Sequence, residues 1–240
     1  MGKASDKAGI QYRMLNASKG PAVWGPRTQI DRSMYFEAIQ EIIMNYPNLT
    51  VKGVGVDAIV CDDIQIQDPA DNTEYRAKKV RAVQDSTGAI YTCGAVVITS
   101  GTFLNGKIYM GDEVWEAGRM GEQPANHLSI SLQEHGFAMG RLKTGTPARL
   151  DSNSIDYTGM DLQEPDTNPE PFSYMNDTVD IPQIACHIAY TNETSHEIIR
   201  DNLHRSAMYS EKIEGVGPRY CPSIEDKVVR FADKTATKYS

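Results

Sequence analysis

The strongest constraint on the fold is a short run of consecutive apolar residues near the middle of the chain. Ala95-Val96-Val97-Ile98 contains no polar side chain, and such a run fits a strand buried on both faces, as in a parallel sheet. It ends at Thr99-Ser100-Gly101-Thr102, a small polar turn. Open α/β sheets bind ligands where buried strands stop at such turns. The pattern predicts an α/β sheet with a ligand at this turn; a strand that simply ends in a turn is the alternative.

The segments before this run predict a helix, a strand and a hairpin. Asp31 can cap a helix that runs to about Asn45, and residues 48–60 favour a strand. Residues 62–73 are acidic and carry loop signals. Residues 79–84 and 89–93 are typical of two hairpin strands around a turn at Ser86-Thr87-Gly88.

The segments after the run are less regular. We expect a helix from about Asn126 to His135, with Gly136 as its C-terminal stop. Residues 151–180 are rich in Pro, Asp, Asn and Ser and predict an irregular excursion. Residues 181–190 favour a strand, and a capped helix follows to about His204.

Two loops carry basic and polar side chains. Residues 1–30 show little periodicity, and Lys19, Arg27 and Gln29 are placed to meet an anion or a polar ligand. Residues 140–147 are basic and rich in hydroxyl groups, which suits contacts with phosphate or carboxylate. For both loops, a solvated surface turn is the alternative.

A cysteine lies in the proline-containing segment 217–227. Its two prolines fix φ and remove two backbone donors, so we expect a rigid turn and not a strand or helix interior. Arg219 and Lys227 lie near Cys221 in sequence, and positive charge favours the nucleophilic thiolate. The pattern indicates a reactive cysteine; an inert cysteine in an ordinary turn is the alternative.

Composition narrows the function classes. A net charge of -8 argues against a generally basic nucleic-acid binder but permits a local basic patch. The four cysteines show no C-x-x-C spacing, which disfavours a zinc site and suggests a reducing compartment. For His187, His196 and His204 we expect structural or surface roles. No apolar stretch of about 18 residues occurs, and the first residues lack the apolar core of a secretion signal.

Four segments, taken together and in order, resemble the MnmG/GidA family of flavoproteins that modify tRNA uridine to its 5-carboxymethylaminomethyl form. The segments are residues 15–23, 100–104, 140–147 and 217–227. Trp24-Gly25-Pro26-Arg27 is closer to the eukaryotic, mitochondrial branch. The resemblance therefore implies a mitochondrial location, with the cytoplasm as the alternative.

The resemblance implies an α/β fold with two dinucleotide-binding, Rossmann-like domains, in which an FAD domain is interrupted by an inserted NADH-binding domain. The family's Gly-x-Gly-x-x-Gly turn is absent from this sequence, so we expect an internal fragment, truncated at both ends. Residues 1–147 would be part of the FAD domain, with a hairpin insertion at about 62–93. Residues 148–240 would be the NADH-binding region and the start of the return to the FAD domain.

The family's chemistry implies the cofactors and partners. NADH reduces FAD, and a folate-derived one-carbon unit is joined to carbon five of the wobble uridine of tRNA. Glycine, taurine or ammonium completes a carboxymethylaminomethyl-type or taurinomethyl-type group. An MnmE-type GTPase partner and a homodimer are expected, without a membrane.

The resemblance also implies the site residues. Cys221 would be the catalytic nucleophile that attacks carbon six of the uracil. FAD-binding positions would be Val56, Thr99, Ser100, Gly101, Thr102 and Ala125. NAD-binding positions would be Gly217, Pro218, Arg219, Tyr220, Cys221, Pro222, Ser223, Ile224, Glu225, Asp226, Lys227 and Phe231. Contacts with tRNA would come from Arg141, Lys143, Arg219 and Lys227. Position 125 is usually Ser in the family, so any contact of Ala125 must use the backbone.

Two other functions remain open at this point. A general FAD/NAD oxidoreductase without tRNA chemistry is one, although such an enzyme has no need of the nucleophile Cys221. The other is an inactive fragment that acts only as a binding piece, because the pyrophosphate loop is missing.

Overall fold

The computed structural model of the protein describes residues 1–143, 145, 147, 149–207, 209–210, 222–231, 236 and 238–239. Their contacts divide the chain into two compact units. The first unit is Met1–Val51, Ala148–His196 and Asp233–Ser240, and the second is Lys52–Pro147 and Glu197–Ala232. One of the divisions coincides with the expected boundary after residue 147. The assignment of 1–147 and 148–240 to FAD and NADH domains stays a prediction.

The fold is mixed α/β, as predicted. In chain order its helices and strands are α1 (Gly2–Ala8), β1 (Gly9–Leu15), β2 (Gly25–Ile30), α2 (Arg32–Met44), β3 (Val56–Gln67), β4 (Glu74–Asp85), β5 (Ile90–Thr92), β6 (Lys107–Met110), β7 (Glu113–Glu116), α3 (Asn126–Glu134), β8 (Asp161–Gln163), β9 (Cys186–Tyr190), α4 (Glu193–Asp201), α5 (Ile224–Arg230) and β10 (Lys238–Tyr239). Within the described part of the chain, no helix has the length and apolar character needed to cross a bilayer.

In the first unit, α1 packs against α2 and precedes the antiparallel pair β1–β2. The cap predicted for α2 is confirmed, because the Asp31 carboxylate accepts a hydrogen bond from the backbone N–H of Met34 at 2.9 Å. A second sheet has the antiparallel order β10-β9-β8. The regular structure of residues 2–15 and 25–30 was not predicted, because their apolar residues follow neither a helical nor a strand period over a long window.

A buried carboxylate organises the irregular segment of the first unit. Asp6 is 6% exposed, and it accepts hydrogen bonds from the Tyr12 hydroxyl (3.0 Å) and from the backbone N–H groups of Phe172 (2.7 Å) and Ser173 (3.0 Å). The Asn176 side-chain amide donates a further bond at 2.8 Å. Burial, followed by the neighbouring carboxylate, raises the pKa of Tyr12. Asp6 therefore fixes a segment with little regular structure of its own.

The second unit is built on an antiparallel sheet in the order β3-β4-β5. Helix α3 packs on β3, and Ile59, Leu128 and Leu132 form the core of this contact. The predicted hairpin turn at residues 86–88 is confirmed by the β4–β5 pairing. The predicted helix from Asn126 is confirmed too, and Gly136 follows it with φ of +89°.

The buried parallel strand predicted at residues 95–98 is wrong. These residues form no strand, and Val97 is 86% exposed. A strand of a parallel sheet needs hydrogen-bonded neighbours, and the described residues offer this run none. A second correction concerns residues 62–67, which continue β3 instead of starting a loop, because Ile64 and Ile66 alternate with polar residues. The loop is confined to residues 68–73, and the strand expected from residue 48 starts at Val56.

After the irregular segment, the strand expected over residues 181–190 begins only at Cys186. The helix expected after it is confirmed as α4, and the Asn192 side chain accepts a hydrogen bond from the backbone N–H of Ser195 at 2.9 Å. His196, on α4, is 1% exposed, and its Nε2 lies 2.7 Å from the Thr191 hydroxyl. The chain thus enters this helix through a capped turn.

The turn between β4 and β5 is closed by one carboxylate. Asp85 accepts hydrogen bonds from the Thr87 hydroxyl (2.6 Å), the Thr87 backbone N–H (2.9 Å), the Ala89 backbone N–H (3.0 Å) and the Tyr91 hydroxyl (2.7 Å). These bonds, with those of Thr87 and Tyr91 the largest, lower the pKa of Asp85 from 3.8 to about 2. The charged form is therefore the one that holds the turn.

We expect Asp85→Asn to destabilise the second unit near neutral pH, because one acceptor oxygen of the turn is replaced by an amide group. The folded-state pKa of Asp85 lies below that of the unfolded chain, so its stabilisation is present above about pH 4 and is lost as the pH falls towards 2. Urea unfolding between pH 2 and 7 should show a smaller pH dependence in the variant than in the wild type.

The matched control is Asp63→Asn, whose carboxylate is 83% exposed and makes a surface ion pair with Lys78. The same stability loss in both variants, or an unchanged pH profile in Asp85→Asn, would contradict this role of Asp85.

Candidate functional site

Three of the expected FAD-binding residues line one cavity of the second unit. This cavity of about 250 Å³ is bordered by Val56, Thr99 and Ser100. The rest of its lining is apolar and comes from β3, β4, α3 and the run before Thr99: Ile59, Val83, Val96, Val97, Ile98 and Leu128. The exposed run at 95–98 is therefore part of a cavity wall, although it is not a strand.

The turn that contains Thr99 to Thr102 is connected to Ala125 through the backbone of Phe103. The Phe103 N–H donates to the Ser100 carbonyl at 3.1 Å, and the Phe103 carbonyl accepts from the Ala125 N–H at 2.8 Å. The Ala125 N–H is thus already used, and a backbone contact of Ala125 with a ligand would fall to its carbonyl. Gly101 has φ of +55°, which favours glycine at the tip of the turn.

The neighbouring loop depends on a close approach at Gly118. The Thr102 hydroxyl donates to the Gly118 carbonyl at 2.7 Å. A Cβ atom added to Gly118 would lie 2.0 Å from the Phe103 ring, so only glycine fits there. The expected FAD positions Thr102 and Ala125 are thereby held beside the cavity-lining turn, while the cavity itself contains Val56, Thr99 and Ser100.

The cavity is small and mainly apolar. Its volume lies below the range of about 300–1,000 Å³ that is usual for small-molecule sites, and its walls are mainly apolar, with two hydroxyl-bearing residues, Thr99 and Ser100. Such a lining suits a flat ring system with polar edges. The sequence contains no Gly-x-Gly-x-x-Gly turn, which is the pattern that cradles a dinucleotide pyrophosphate.

A second, larger cavity of about 490 Å³ shares Ile59, Val96 and Ile98 with the first. It also contains Cys61 and His135, which were not predicted as site residues. His135 Nε2 lies 2.7 Å from the Ile59 carbonyl, and its Nδ1 is buried with no hydrogen-bond partner among the described residues. His135 follows the apolar positions of α3, and that helical spacing is the signal that could have found it.

The segment after Cys221 is a helix and not the rigid turn that was predicted. The Ser223 hydroxyl accepts from the Asp226 N–H at 3.1 Å, and the Asp226 carboxylate accepts from the Ser223 N–H at 3.1 Å. This reciprocal capping box starts α5 at Ile224. Proline disfavours a helix interior, but Pro222 lies before the helix, and the Ser-x-x-Asp spacing directly after it favours a helix start.

The polar side chains at the start of α5 bind other parts of the second unit. The Tyr209 hydroxyl donates to Asp226 at 2.9 Å, and the Ser206 hydroxyl donates to Glu225 at 2.8 Å. Burial, followed by the hydrogen bond to Asp226, raises the pKa of Tyr209 to about 12. In this structure the expected NAD-binding residues Ser223, Glu225 and Asp226 therefore hold α5 in place.

The expected tRNA-binding loop, residues 140–147, lies next to the 99–105 turn and next to the start of α5. The Arg141 guanidinium donates to the Asn105 carbonyl from both terminal nitrogens at 3.3 Å, which ties the loop to the end of the 99–105 turn. A Cβ atom added to Gly145 would lie 3.1 Å from the Ser223 Cβ, so the loop also passes close to the start of α5. Lys143 lies between these two contact points along the chain.

The structure thus brings together three segments that are far apart in sequence: the 99–105 turn, the basic loop and the start of α5. Ile224 and Lys227 lie within α5, Pro222 precedes its N-cap Ser223, and Phe231 directly follows its last residue. The remaining expected site residues lie outside the described residues. They are Gly217, Pro218, Arg219, Tyr220 and Cys221.

Comparisons with known proteins agree on one family. The family model described as "Glucose inhibited division protein A" matches residues 1–238. Enzymes of Thermodesulfovibrio yellowstonii and Helicobacter hepaticus are 49% and 46% identical over 235 residues, which is 98% of this chain and 35% and 36% of theirs. Both are named "tRNA uridine 5-carboxymethylaminomethyl modification enzyme MnmG".

A solved structure of Aquifex aeolicus GidA is 41% identical with a TM-score of 0.84, and the match covers 99% of this chain and 38% of that one. A second crystal form of the same protein gives 39% identity and a TM-score of 0.81. The chain therefore spans about a third of the length of the relatives it matches.

We expect Ser223→Ala to lower the free energy of unfolding of the second unit by about 1 kcal/mol, because the substitution removes the N-cap oxygen of α5. Thermal or urea unfolding measures the change. Ser33→Ala is the matched control, since Ser33 is an exposed residue in the first turn of α2, whose cap is Asp31. Equal stability of Ser223→Ala and the wild type would contradict the capping role.

Proposed function

The chain belongs to the glucose-inhibited division protein A (GidA, MnmG) family, and from this premise we propose that it is part of an FAD-dependent enzyme that modifies carbon five of the wobble uridine of tRNA. The proposal draws on relatives that are named as tRNA-modifying enzymes. We propose a carboxymethylaminomethyl-type or taurinomethyl-type product. Because the chain spans about a third of these relatives, the activity is proposed for the whole protein.

One observation carries the proposal: the clustering of the 99–105 turn, the basic loop and the start of α5 in one unit. These are three of the four segments that resemble the family, and hydrogen bonds and close contacts join them at Asn105, Arg141, Gly145 and Ser223. A flavin enzyme acting on RNA needs a cofactor surface and a cationic surface close together. The cluster supplies side chains suited to both.

For FAD we propose that the cavity beside Thr99 holds a ring portion of the cofactor. Val56 and the apolar wall would exclude water from the ring, and Thr99 and Ser100 would meet its polar edge. When bound, FAD supplies the redox chemistry of the reaction, and NADH is the proposed reductant. Residues 217–227 and Phe231 are the proposed nicotinamide region, for which Ser223 and Asp226 fix the start of the helix.

For catalysis we propose Cys221 as the nucleophile. Its sulfur would form a bond to carbon six of the uracil, and the electron pair of the ring double bond would make carbon five nucleophilic. Arg219 and Lys227 support the thiolate through their positive charge. The capping box of α5 begins two residues after Cys221, so the chain is anchored close to the proposed nucleophile.

The further partners are proposed on the family resemblance. They are a folate-derived one-carbon donor, an MnmE-type GTPase and a second copy of the protein. The relatives named above are bacterial, and the mitochondrial location stays a prediction.

The first test replaces the proposed nucleophile. In the full-length protein, we expect Cys221→Ser to reduce wobble-uridine modification to background while FAD remains bound, because the hydroxyl is a much weaker nucleophile than a thiolate. Mass spectrometry of tRNA nucleosides measures the modification, and visible absorbance measures the flavin.

Cys93→Ser is the matched control, because Cys93 is a partly buried free cysteine directly after β5 and outside the proposed site. Wild-type levels of modified uridine in Cys221→Ser would contradict the role of Cys221 as the nucleophile. A wild-type protein that is yellow and oxidises NADH but modifies no tRNA would favour a general FAD/NAD oxidoreductase.

The second test concerns the basic loop. We expect the double variant Arg141→Gln, Lys143→Gln to lower the slope of log K against log salt for tRNA binding by about two, since each lost phosphate contact removes about 0.9. Filter binding over a range of salt concentrations gives the slope. Lys107→Gln, which removes an exposed charge on β6, should leave the slope unchanged, and an unchanged slope in the double variant would count against Arg141 and Lys143.

A further inference from the structure

The loop between β1 and β2 is held in one conformation although it lies on the surface. We call residues 16–24 the tryptophan loop. It contains two short 3-10 helices, Ala17–Lys19 and Pro21–Val23. The Asn16 side-chain amide donates to the Val23 carbonyl at 3.2 Å, and the Trp24 ring N–H donates to the Ala17 carbonyl at 3.1 Å. These two bonds cross the loop and fix its shape.

The Trp24 ring is left available by this arrangement. Its only polar atom is bound to Ala17 within the loop, while 47% of the residue is exposed. Leu15 and Val23, beside it in the hairpin, are 42% and 49% exposed. A tryptophan whose N–H is satisfied presents an apolar π-face, and such a face is suited to stacking on another flat ring.

The charge around the loop is positive in a chain of net charge -8. The sequence holds no acidic residue between Asp6 and Asp31, whereas Lys19 lies in the loop and Arg27 follows it on β2. Both side chains are exposed, and neither makes an ion pair with any residue that the structure describes. Three acidic residues contact this hairpin elsewhere: Asp6 binds the Tyr12 hydroxyl, and Glu164 and Asp166 bind at Arg13 and Met14.

A like-charge pair reinforces the argument. Arg13 and Arg27 are directly opposite each other in the β1–β2 ladder, and like charges in such positions destabilise an antiparallel pair. The Arg13 guanidinium donates to the Glu164 carbonyl, which is a neutral group. Arg27 makes no ion pair with a residue that the structure describes, and an external anion would relieve the repulsion.

From these observations we propose that the tryptophan loop is a contact site for a single-stranded part of tRNA. Trp24 stacks on an unpaired base, and Lys19 and Arg27 bind the phosphates on either side of it. The inference rests on the proposed function, because that function supplies tRNA as the substrate. The cations favour RNA, because its phosphates supply partners for both charges, and lysine is depleted at protein interfaces.

The experiment uses tryptophan emission as a local probe. The sequence has two tryptophans, Trp24 and Trp115, so the full-length protein is used in a background in which every tryptophan except Trp24 is changed to Phe. Unmodified tRNA should quench the emission as it binds, because stacking brings a base against the indole. With Trp24→Ala in the wild-type background, we expect the dissociation constant for tRNA to rise about tenfold, within the range measured for base–aromatic stacking.

Two further variants separate stacking from loop structure. Trp24→Phe keeps an aromatic face but loses the bond to Ala17, and it should keep most of the affinity. Tyr75→Ala is the matched control, because Tyr75 is an aromatic residue of similar exposure (49%) at the start of β4. It should leave the tRNA affinity unchanged. Lys19→Gln and Arg27→Gln should each lower the salt slope by about 0.7, the value for one phosphate contact on a single strand.

Each result bears on the proposal separately from the proposed function. Wild-type tRNA affinity in Trp24→Ala, or unchanged Trp24 emission with tRNA bound, would overturn the contact site while the modification activity stands. A change in emission that follows protein concentration and not tRNA would assign the loop to a protein interface and also overturn it. If the wild-type protein modifies no uridine and binds no tRNA, both the contact site and the proposed function are contradicted.

Discussion

The packing of the second unit depends on the contact between α3 and β3, the edge strand of its sheet. At Ile59 the backbone N–H donates to the Ser131 hydroxyl at 3.1 Å, and the carbonyl lies 2.7 Å from His135 Nε2. Ser131 of α3 and His135, directly after it, thus satisfy both backbone groups of a residue that is itself in the core. An unpaired group at this place would cost about 1–3 kcal/mol. Because Ile59 also lines both cavities, the same contact sets the shape of the candidate site.

Local signals in the sequence predicted the elements that local interactions form. The helices that begin at Arg32 and Asn126 and the turn closed by Asp85 follow from caps, spacing and turn residues, which act within a few positions. The prediction of a strand at residues 95–98 was wrong because a strand does not depend on local signals alone. A strand is completed by partners distant in sequence, and an apolar run carries no information on whether those partners are present. The capping box at Ser223 was a local signal, and it was outweighed by the neighbouring proline.

The candidate site shows the same division. The resemblance assigned Val56, Thr99 and Ser100 to one ligand, and the structure places all three around one cavity. The apolar wall that completes this cavity, and the larger cavity with Cys61 and His135, come from contacts between β3, β4 and α3. Those contacts depend on tertiary packing, which no motif records. Ser223, Glu225 and Asp226 also have a structural role, because their hydrogen bonds hold α5 in place. Residues of one motif can thus support the backbone while their neighbours bind a ligand.

The net charge of -8 does not by itself give the local potential, because some of the acidic groups are enclosed by hydrogen-bond donors. Asp6, Asp85 and Asp226 are at most 8% exposed, and each accepts several hydrogen bonds from the protein. A carboxylate enclosed by donors has much of its field compensated locally and adds little to the repulsion of an approaching phosphate. Lys19 and Arg27 at the tryptophan loop are exposed, so the potential that the proposed RNA contact would meet there depends more on these cations than on the sum over the chain.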